Sequence, residues 1–477
     1  MNSQSTEKKN PLGYESIPSL LLKYGIPSVI SMLVMSLYNI VDQIFIGHSP
    51  AGYLGNAATT VAFPLVTIML ALALLIGNGS AAYISLQMGK GNRGVAQKAL
   101  GTAVTLLLVL GVAVGAGALL FLEPVLRLLG ATDAVMPYAV EYTSVIVMGA
   151  PAAMLSTALA NIIRADGSPR FSMAASLSGA VLNTILDPIF IFTLGMGVRG
   201  AAVATVLSQC VSALLCLYYV LRRANYITLT KGNLRLDFPL AKTLAAYGSS
   251  SFVTQMAITV VNVVLNNTLV AYGTLSPYGR EIPLSAMGIV MKISAILISC
   301  ILGIIIGAQP ILGYNYGAGN YKRVRQTFLL EVSVTFSLAA VVNVLFVFTP
   351  ETFIGIFGKG SPQFTEFACM ALSTYLCCVF AAGIQIPSAN YFQAVGKPLK
   401  AMTLTMTRQL FLLVPAIILL PRFFGLQGVL YAAPVADVLS LLITGFFILR
   451  ELRGLSAGEP GIAGAAPPAE DAVAENS

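Results

Sequence analysis

Four acidic residues lie well inside apolar stretches of the chain: Asp42, Asp187, Glu331 and Asp437. An ionised carboxylate at the centre of a bilayer costs roughly 2.5–3.5 kcal/mol or more, so it persists only where it faces a polar cavity, meets a partner or holds a proton. A group that couples movement to a cation gradient needs this property, because it exchanges missing solvation for a proton or a sodium ion. Asp187 is the sharpest case. Asn183 stands four residues before it on the same helical face, so amide and carboxylate project together. Pro188 follows directly and frees a backbone carbonyl one turn earlier. Asp42 belongs to the polar patch Asn39, Asp42 and Gln43. A coupled sodium ion would sit at Asp42, Asp187 and Asn183. The competing reading is that these acids only hydrogen-bond neighbouring helices.

The elements that must hold these residues follow from composition. Of 477 residues, 57% are hydrophobic and only 10% charged, against about 25% charged in an ordinary soluble domain. Mean hydropathy is +0.83. The chain cannot cover itself with charge, so lipid must be its solvent, and the 43 glycines suit closely packed membrane helices. The net charge of +8 is spread over short segments between apolar runs, which argues against nucleic-acid binding. The six cysteines lie in apolar runs without CxxC or Cys/His spacing, and His48 is the only histidine, so disulfide and zinc readings fail. Residues 1–17 are polar and lack a cleavable signal; the tail at 451–477, rich in Ala, Gly, Pro and Glu, reads as disordered.

A spanning helix needs roughly 20 apolar residues. Twelve spans are expected, near 18–47, 54–87, 95–122, 135–164, 169–193 and 199–221, then 238–272, 282–315, 323–349, 364–394, 398–420 and 426–450. A six-helix bundle at 18–221, a polar linker at 222–237 and a second bundle at 238–450 result. With both termini inside, 20 of the 27 Lys and Arg residues fall on the cytoplasmic side and 5 opposite, leaving Lys292 and Arg408 within spans. The positive-inside rule selects that orientation, in the inner (cytoplasmic) membrane.

The halves echo one another. GNGSAAYISLQMGKGN, ending at Asn92, meets GAQPILGYNYGAGN, ending at Asn320, an offset of 228. EPVLRLLG meets ETFIGIFG at 228, NIIRADGSP meets NYFQAVGKP at 229, and KYG at Lys23 meets AYG at Ala246. Such ordered matches mean duplication. Each half has an even number of spans, so the repeats are parallel and related by an axis along the membrane normal. Two such bundles across a cleft suit alternating access. Positions 42 and 187 map onto Leu265 and Ala416, so the second half keeps neither acid, although Asn39 recurs as Asn262.

NIVDQIFIGH, RADGSP, LNTILDPIFIFTLGMGVRGAAVATVLSQ, GYNYGAGNYKRV and NYFQAVGKP, in this order over roughly residues 15–450, resemble the multidrug and toxic compound extrusion (MATE) family, bacterial multidrug branch. The resemblance implies a V-shaped all-α fold of twelve helices that exports cationic or amphipathic compounds in exchange for protons or sodium ions. It adds Asn161, Thr205 and Tyr142 to the expected coupling pocket. The substrate cleft should be apolar and adaptable; Asn39, Gln43, Met287 and Met291 are its candidates, although a methionine on a membrane helix more often only packs. Glu331 and Asp437 are expected as paired or interface-facing carboxylates, with Lys292 and Arg408 as partners.

A lipid-linked precursor flippase of the same superfamily is the alternative, disfavoured by the few intramembrane cations. No protease-like aspartate pair, HExxH or GxSxG lies in a span, so an enzyme is not expected. The glycine turns lack a Walker lysine, so neither nucleotide nor another cofactor is expected. A monomer is expected. For orientation, a cysteine probe at Arg280 or Lys359 should label from outside intact cells while one at Arg235 is spared; the reverse pattern overturns it.

Overall fold

The computed structural model describes residues 10–49, 52–279, 281–356 and 361–456. Arg280 and Lys359, residues 1–9 and the tail from 457 therefore lie outside the described residues. Those described form helices and turns without a strand. Among the described residues ten helices are long and apolar enough to cross a membrane, and two bent pairs, each taken as one span, bring the number to twelve. In chain order they are α1 (Ile17–Gly47), α2 (Leu54–Gly89), α3 (Arg93–Leu120), α4 (Met136–Met148 with Ala150–Ala165), α5 (Pro169–Thr193) and α6 (Gly197–Arg223). The second set is α7 (Phe238–Thr274), α8 (Glu281–Gly317), α9 (Tyr321–Phe348), α10 (Pro362–Tyr375 with Val379–Ala394), α11 (Pro398–Phe424) and α12 (Leu426–Gly454).

Helix boundaries follow local chemistry. Pro169 and Pro398 open α5 and α11, where a missing N–H and a fixed φ are harmless. Asp237 and Ser361 cap α7 and α10 through the Leu240 and Phe364 amides at 3.1 and 3.2 Å. The turns GKGN and GAGN are conformational: Gly91 and Gly319 take φ of 82° and 72°, a left-handed region that favours glycine. The bends in α4 and α10, 52° and 41°, stand at equivalent places of the two halves. The last helix continues past residue 450 to Ser456. Buried Glu451, expected at the start of the tail, instead pairs with Lys397 and with Lys400 Nζ at 3.4 Å.

The two bundles touch through glycines, and the contacts obey the repeat. A Cβ on Gly248 of α7 would lie 1.7 Å from the Leu75 carbonyl oxygen of α2, and one on Gly79 would lie 2.1 Å from the Leu244 oxygen. Across the pseudo-axis, a Cβ on Gly307 of α8 would lie 2.7 Å from the Gly25 Cα of α1. Gly89 and Gly317 form a self-symmetric third contact, each Cβ position 2.0 Å from a carbonyl oxygen, of Tyr314 and Leu86 respectively. All these crossings fall in the half of each helix nearest the termini and linker. Small residues are what let backbones approach so closely in lipid, where burial against tails gives no hydrophobic drive.

On the same face Asp166, just past α4, anchors the linker. Its carboxylate accepts from the Tyr219 hydroxyl at 2.8 Å and from the amides of Asn225, Tyr226 and Ile227 at 2.7, 3.0 and 3.0 Å. Burial pushes this carboxyl up to about 6, while the four donors pull it down.

Two outcomes follow from these contacts. Gly248→Leu should part α2 from α7, cost about 1–3 kcal/mol or more of packing, and expose a cysteine at Ser251 to an impermeant maleimide from the linker side. Parent protein should resist that label. Asp166→Ala strands the Asn225, Tyr226 and Ile227 amides, of which the buried Ile227 donor costs about 1–3 kcal/mol when unpaired, and should lower the melting temperature of the detergent-purified protein. Protection of the linker from protease should fall with it.

Candidate functional site

Asp187 is the penultimate residue of the regular part of α5, and Pro188 is followed at once by a π-helical turn over Ile189–Thr193. Such turns are rare and frequent at functional sites. Asp187 is fully buried and Asn183 is 2% exposed. Asn183 Nδ2 donates to Asp187 Oδ1 at 3.1 Å and lies 3.3 Å from Thr205 Oγ1 of α6. Asp42 of α1 stands beside the Asp187 carboxyl, with Tyr38 and Tyr142 next to the pair. Three buried oxygens, Asp42 Oδ1, Asp187 Oδ2 and Asn183 Oδ1, have no protein partner. Two carboxylates in one pocket repel unless a proton or cation lies between them. A donor set made only of oxygens suits a hard cation as well as a proton. No cluster of three or more His, Cys, Asp or Glu occurs among the described residues, so a transition-metal centre has no ligand set there.

Beside this pair a cavity of about 680 Å3 lies between the bundles, lined by both. Its wall is largely apolar, with Met32, Leu70, Ile298 and Leu302 among the lining residues, and Tyr38, Asn183 and Thr205 contribute where it meets the acid pair. Asp42 and Asp187 are not in the lining, so their carboxyls sit behind that wall.

The remaining sequence candidates separate. Met291 lines the cavity. Met287 is 1% exposed and packs in the core of the second bundle. Asn39 and Gln43 are exposed and outside the lining, with Asn39 Nδ2 spent on the Met35 carbonyl at 2.7 Å. Tyr142 is buried with Ile146 and Val147. Asn161 lies on the cavity wall but bonds elsewhere: its Nδ2 donates to Asn78 Oδ1 at 2.6 Å, and its Oδ1 accepts from Arg164. Arg164 also donates to Ser172 Oγ at 2.9 Å. Asn78 in turn donates to Ser251 Oγ at 3.0 Å, and Gln393 Nε2 reaches the same oxygen at 3.1 Å. This chain, from α4 through α2 and α7 to α10, joins the bundles along the cavity wall. Sequence reading missed Asn78, Ser251 and Gln393 because single polar residues at helical spacing do not announce that they meet across two bundles.

The second bundle divides its acids. Asp437 of α12 pairs with Arg408 of α11 as expected: Nε and Nη2 each lie 2.8 Å from Oδ1. Glu331 does not meet the expected partner. It is fully buried, neither oxygen has a protein partner, and Lys292 is exposed. Its place one helix further from the cleft, on α9, explains why helical spacing alone could not pair it.

The MatE family model matches residues 27–189 and 251–418, one stretch in each bundle. A multidrug export protein MepA of Staphylococcus saprophyticus is 26% identical over 88% of this chain and 91% of its own. A FAD transporter of Shewanella oneidensis is 24% identical over 89% and 92%. Among solved structures, the MATE multidrug transporter DinF-BH aligns at a TM-score of 0.86 with 35% identity, covering 95% of this chain and 99% of that one. An outward-facing multidrug resistance MATE transporter of the MOP superfamily aligns at 0.87 with 25% identity, over 95% and 100%. With twelve apolar spans in two glycine-locked bundles and a family match in each half, the chain belongs to the MATE family of multi-pass membrane transporters, which are not enzymes.

Proposed function

We propose that this protein is a secondary active multidrug antiporter of the inner membrane. It exports cationic or amphipathic organic compounds in exchange for protons or sodium ions, with both termini and the linker in the cytoplasm. The observation that carries this reading is the acid pair Asp42 and Asp187, with unpartnered buried oxygens, placed directly behind the wall of the inter-bundle cavity. A cation that enters the pair changes the charge of the first bundle. A membrane potential acts on that charge with about 2.3 kcal/mol per elementary charge per 100 mV. Asn183 and Thr205 link the ion pocket to the cavity surface, so a bound substrate and a bound cation contend for one wall. Relatives named as multidrug exporters support the cargo class. The relative named as a FAD transporter supports a second reading, in which the cargo is an anionic cofactor-like molecule.

Reconstituted protein with imposed pH or sodium gradients tests the proposal. Asp187→Asn should leave the protein folded and inserted while gradient-driven efflux falls to the level of empty vesicles, because the near-isosteric amide cannot hold the ion. Asp42→Asn should act in the same direction. Wild-type rates in both variants would sink the N-terminal ion site. The second bundle retains no acid at the repeated positions, so Glu331→Gln and Asp437→Asn should alter stability or substrate range and spare coupling. Complete uncoupling by either would mean that both bundles carry ions.

A further inference from the structure

The wall that the second bundle gives to the cavity carries a charged pair that the first bundle lacks. At the offset of 229 that NIIRADGSP sets, Arg408 answers to Gly179, and at the offset of 228 set by the matched turn glycines Gly197 and Gly425, with φ of 56° and 60°, Asp437 answers to Gln209. In the first bundle α5 closes on α6 at Gly179, whose Cβ position lies 2.2 Å from Ser212 Oγ. Small residues therefore suffice to pack this helix pair. The second bundle instead places a guanidinium and a carboxylate there, at a depth where ions are costly. Packing does not require them.

Their geometry is that of a half-used site. Both donors that Arg408 directs at Asp437 converge on one oxygen, Oδ1. A guanidinium carries five N–H groups in a planar fork, and no acceptor for its Nη1 end occurs among the described residues. Arg408 lines the cavity, is the second residue of the π-helical segment Thr407–Leu413, and keeps 23% of its side chain exposed against 5% for Asp437. Gln385, 6% exposed and also of the lining, is spent on the helix of the pair: its Nε2 donates to the Asp437 carbonyl at 2.7 Å. The guanidinium thus keeps donors for the cavity. Arg164, the other cation of the lining, is 3% exposed and held by Asn161 and Ser172.

We infer that Arg408 forms a subsite for an acidic group of the substrate, a carboxylate or its sulfonate or phosphate equivalent, for which Asp437 stands in while the cavity holds no such ligand. The class it fits is an amphipathic zwitterion: a delocalised cation or apolar body in the cavity, and an acidic group on the guanidinium fork. This specificity element rests on the efflux reading above and refines it.

The test compares rhodamine B, which carries a free carboxylate, with its ethyl ester, which does not. Binding is read by fluorescence anisotropy on protein in nanodiscs and transport in proteoliposomes. Arg408→Gln should lower the preference for the acid over the ester by about tenfold, the scale of one charge-assisted hydrogen bond, and Arg408→Lys should restore part of it. Asp437→Asn frees the fork and should raise the same preference. A pair that serves only structure breaks identically from either side, so shifts in one direction, or none, overturn the subsite. Should single variants fail to fold, Arg408→Gln combined with Asp437→Asn removes both charges and must still abolish the preference. If the parent moves the ester and its preference ignores Arg408, the subsite falls and the efflux reading stands. If the parent moves neither dye under either gradient, both fall.

Discussion

Everything in this molecule hangs on a close backbone approach at one end of the two bundles. Gly79 against Leu244 and Gly248, Gly307 against Gly25, and Gly89 and Gly317 against facing carbonyls leave no room for a single added carbon. Lipid tails are as apolar as the helices they surround, so helix association there depends on contact area and on hydrogen bonds. Glycine supplies the first. The chain Arg164, Asn161, Asn78, Ser251 and Gln393 supplies the second at the same level. Because these contacts gather at the end with the termini and linker, a cavity remains between the bundles beyond them.

That arrangement makes the cavity a shared surface of two unlike walls. Tyr38, Asn183 and Thr205 form one wall, with Asp42 and Asp187 behind it; Arg408, Asp437 and Gln385 stand on the other. Duplication gave both bundles the same scaffold, down to matched turns at Gly91 and Gly319. The side chains then diverged, as Leu265 and Ala416 replace the two acids in the second half. An acid pair behind one wall and a guanidinium–carboxylate pair on the other give the two bundles different chemistry. The π-helical turns after Asp187 and at Arg408 fit this division, since each breaks helical regularity where a charged group must be aimed.

Glu331 is the exception to this order. A buried carboxyl on α9 without any protein partner has no counterpart in the scheme of two facing walls. An ionised group there would cost roughly 2.5–3.5 kcal/mol or more, and no contact among the described residues offsets it.

Much of this was legible in the chain itself. Hydropathy and length determined twelve spans, because a helix in lipid must satisfy its own backbone over a fixed thickness. Ordered repeats determined two parallel bundles, and the i, i+4 spacing of Asn183 and Asp187 determined that amide and carboxylate share a face. The tertiary structure alone decided which residues meet across helices. It set Asp42 beside Asp187, drew Asn161 away from them to Asn78 and Arg164, buried Met287 in a core and left Asn39 and Gln43 outside the cavity. It also paired Arg408 with Asp437 and left Glu331 alone. The physical reason is that periodicity fixes the direction of a side chain about its own helix axis, whereas its partner depends on how far, and at what rotation, the next helix is held by close packing.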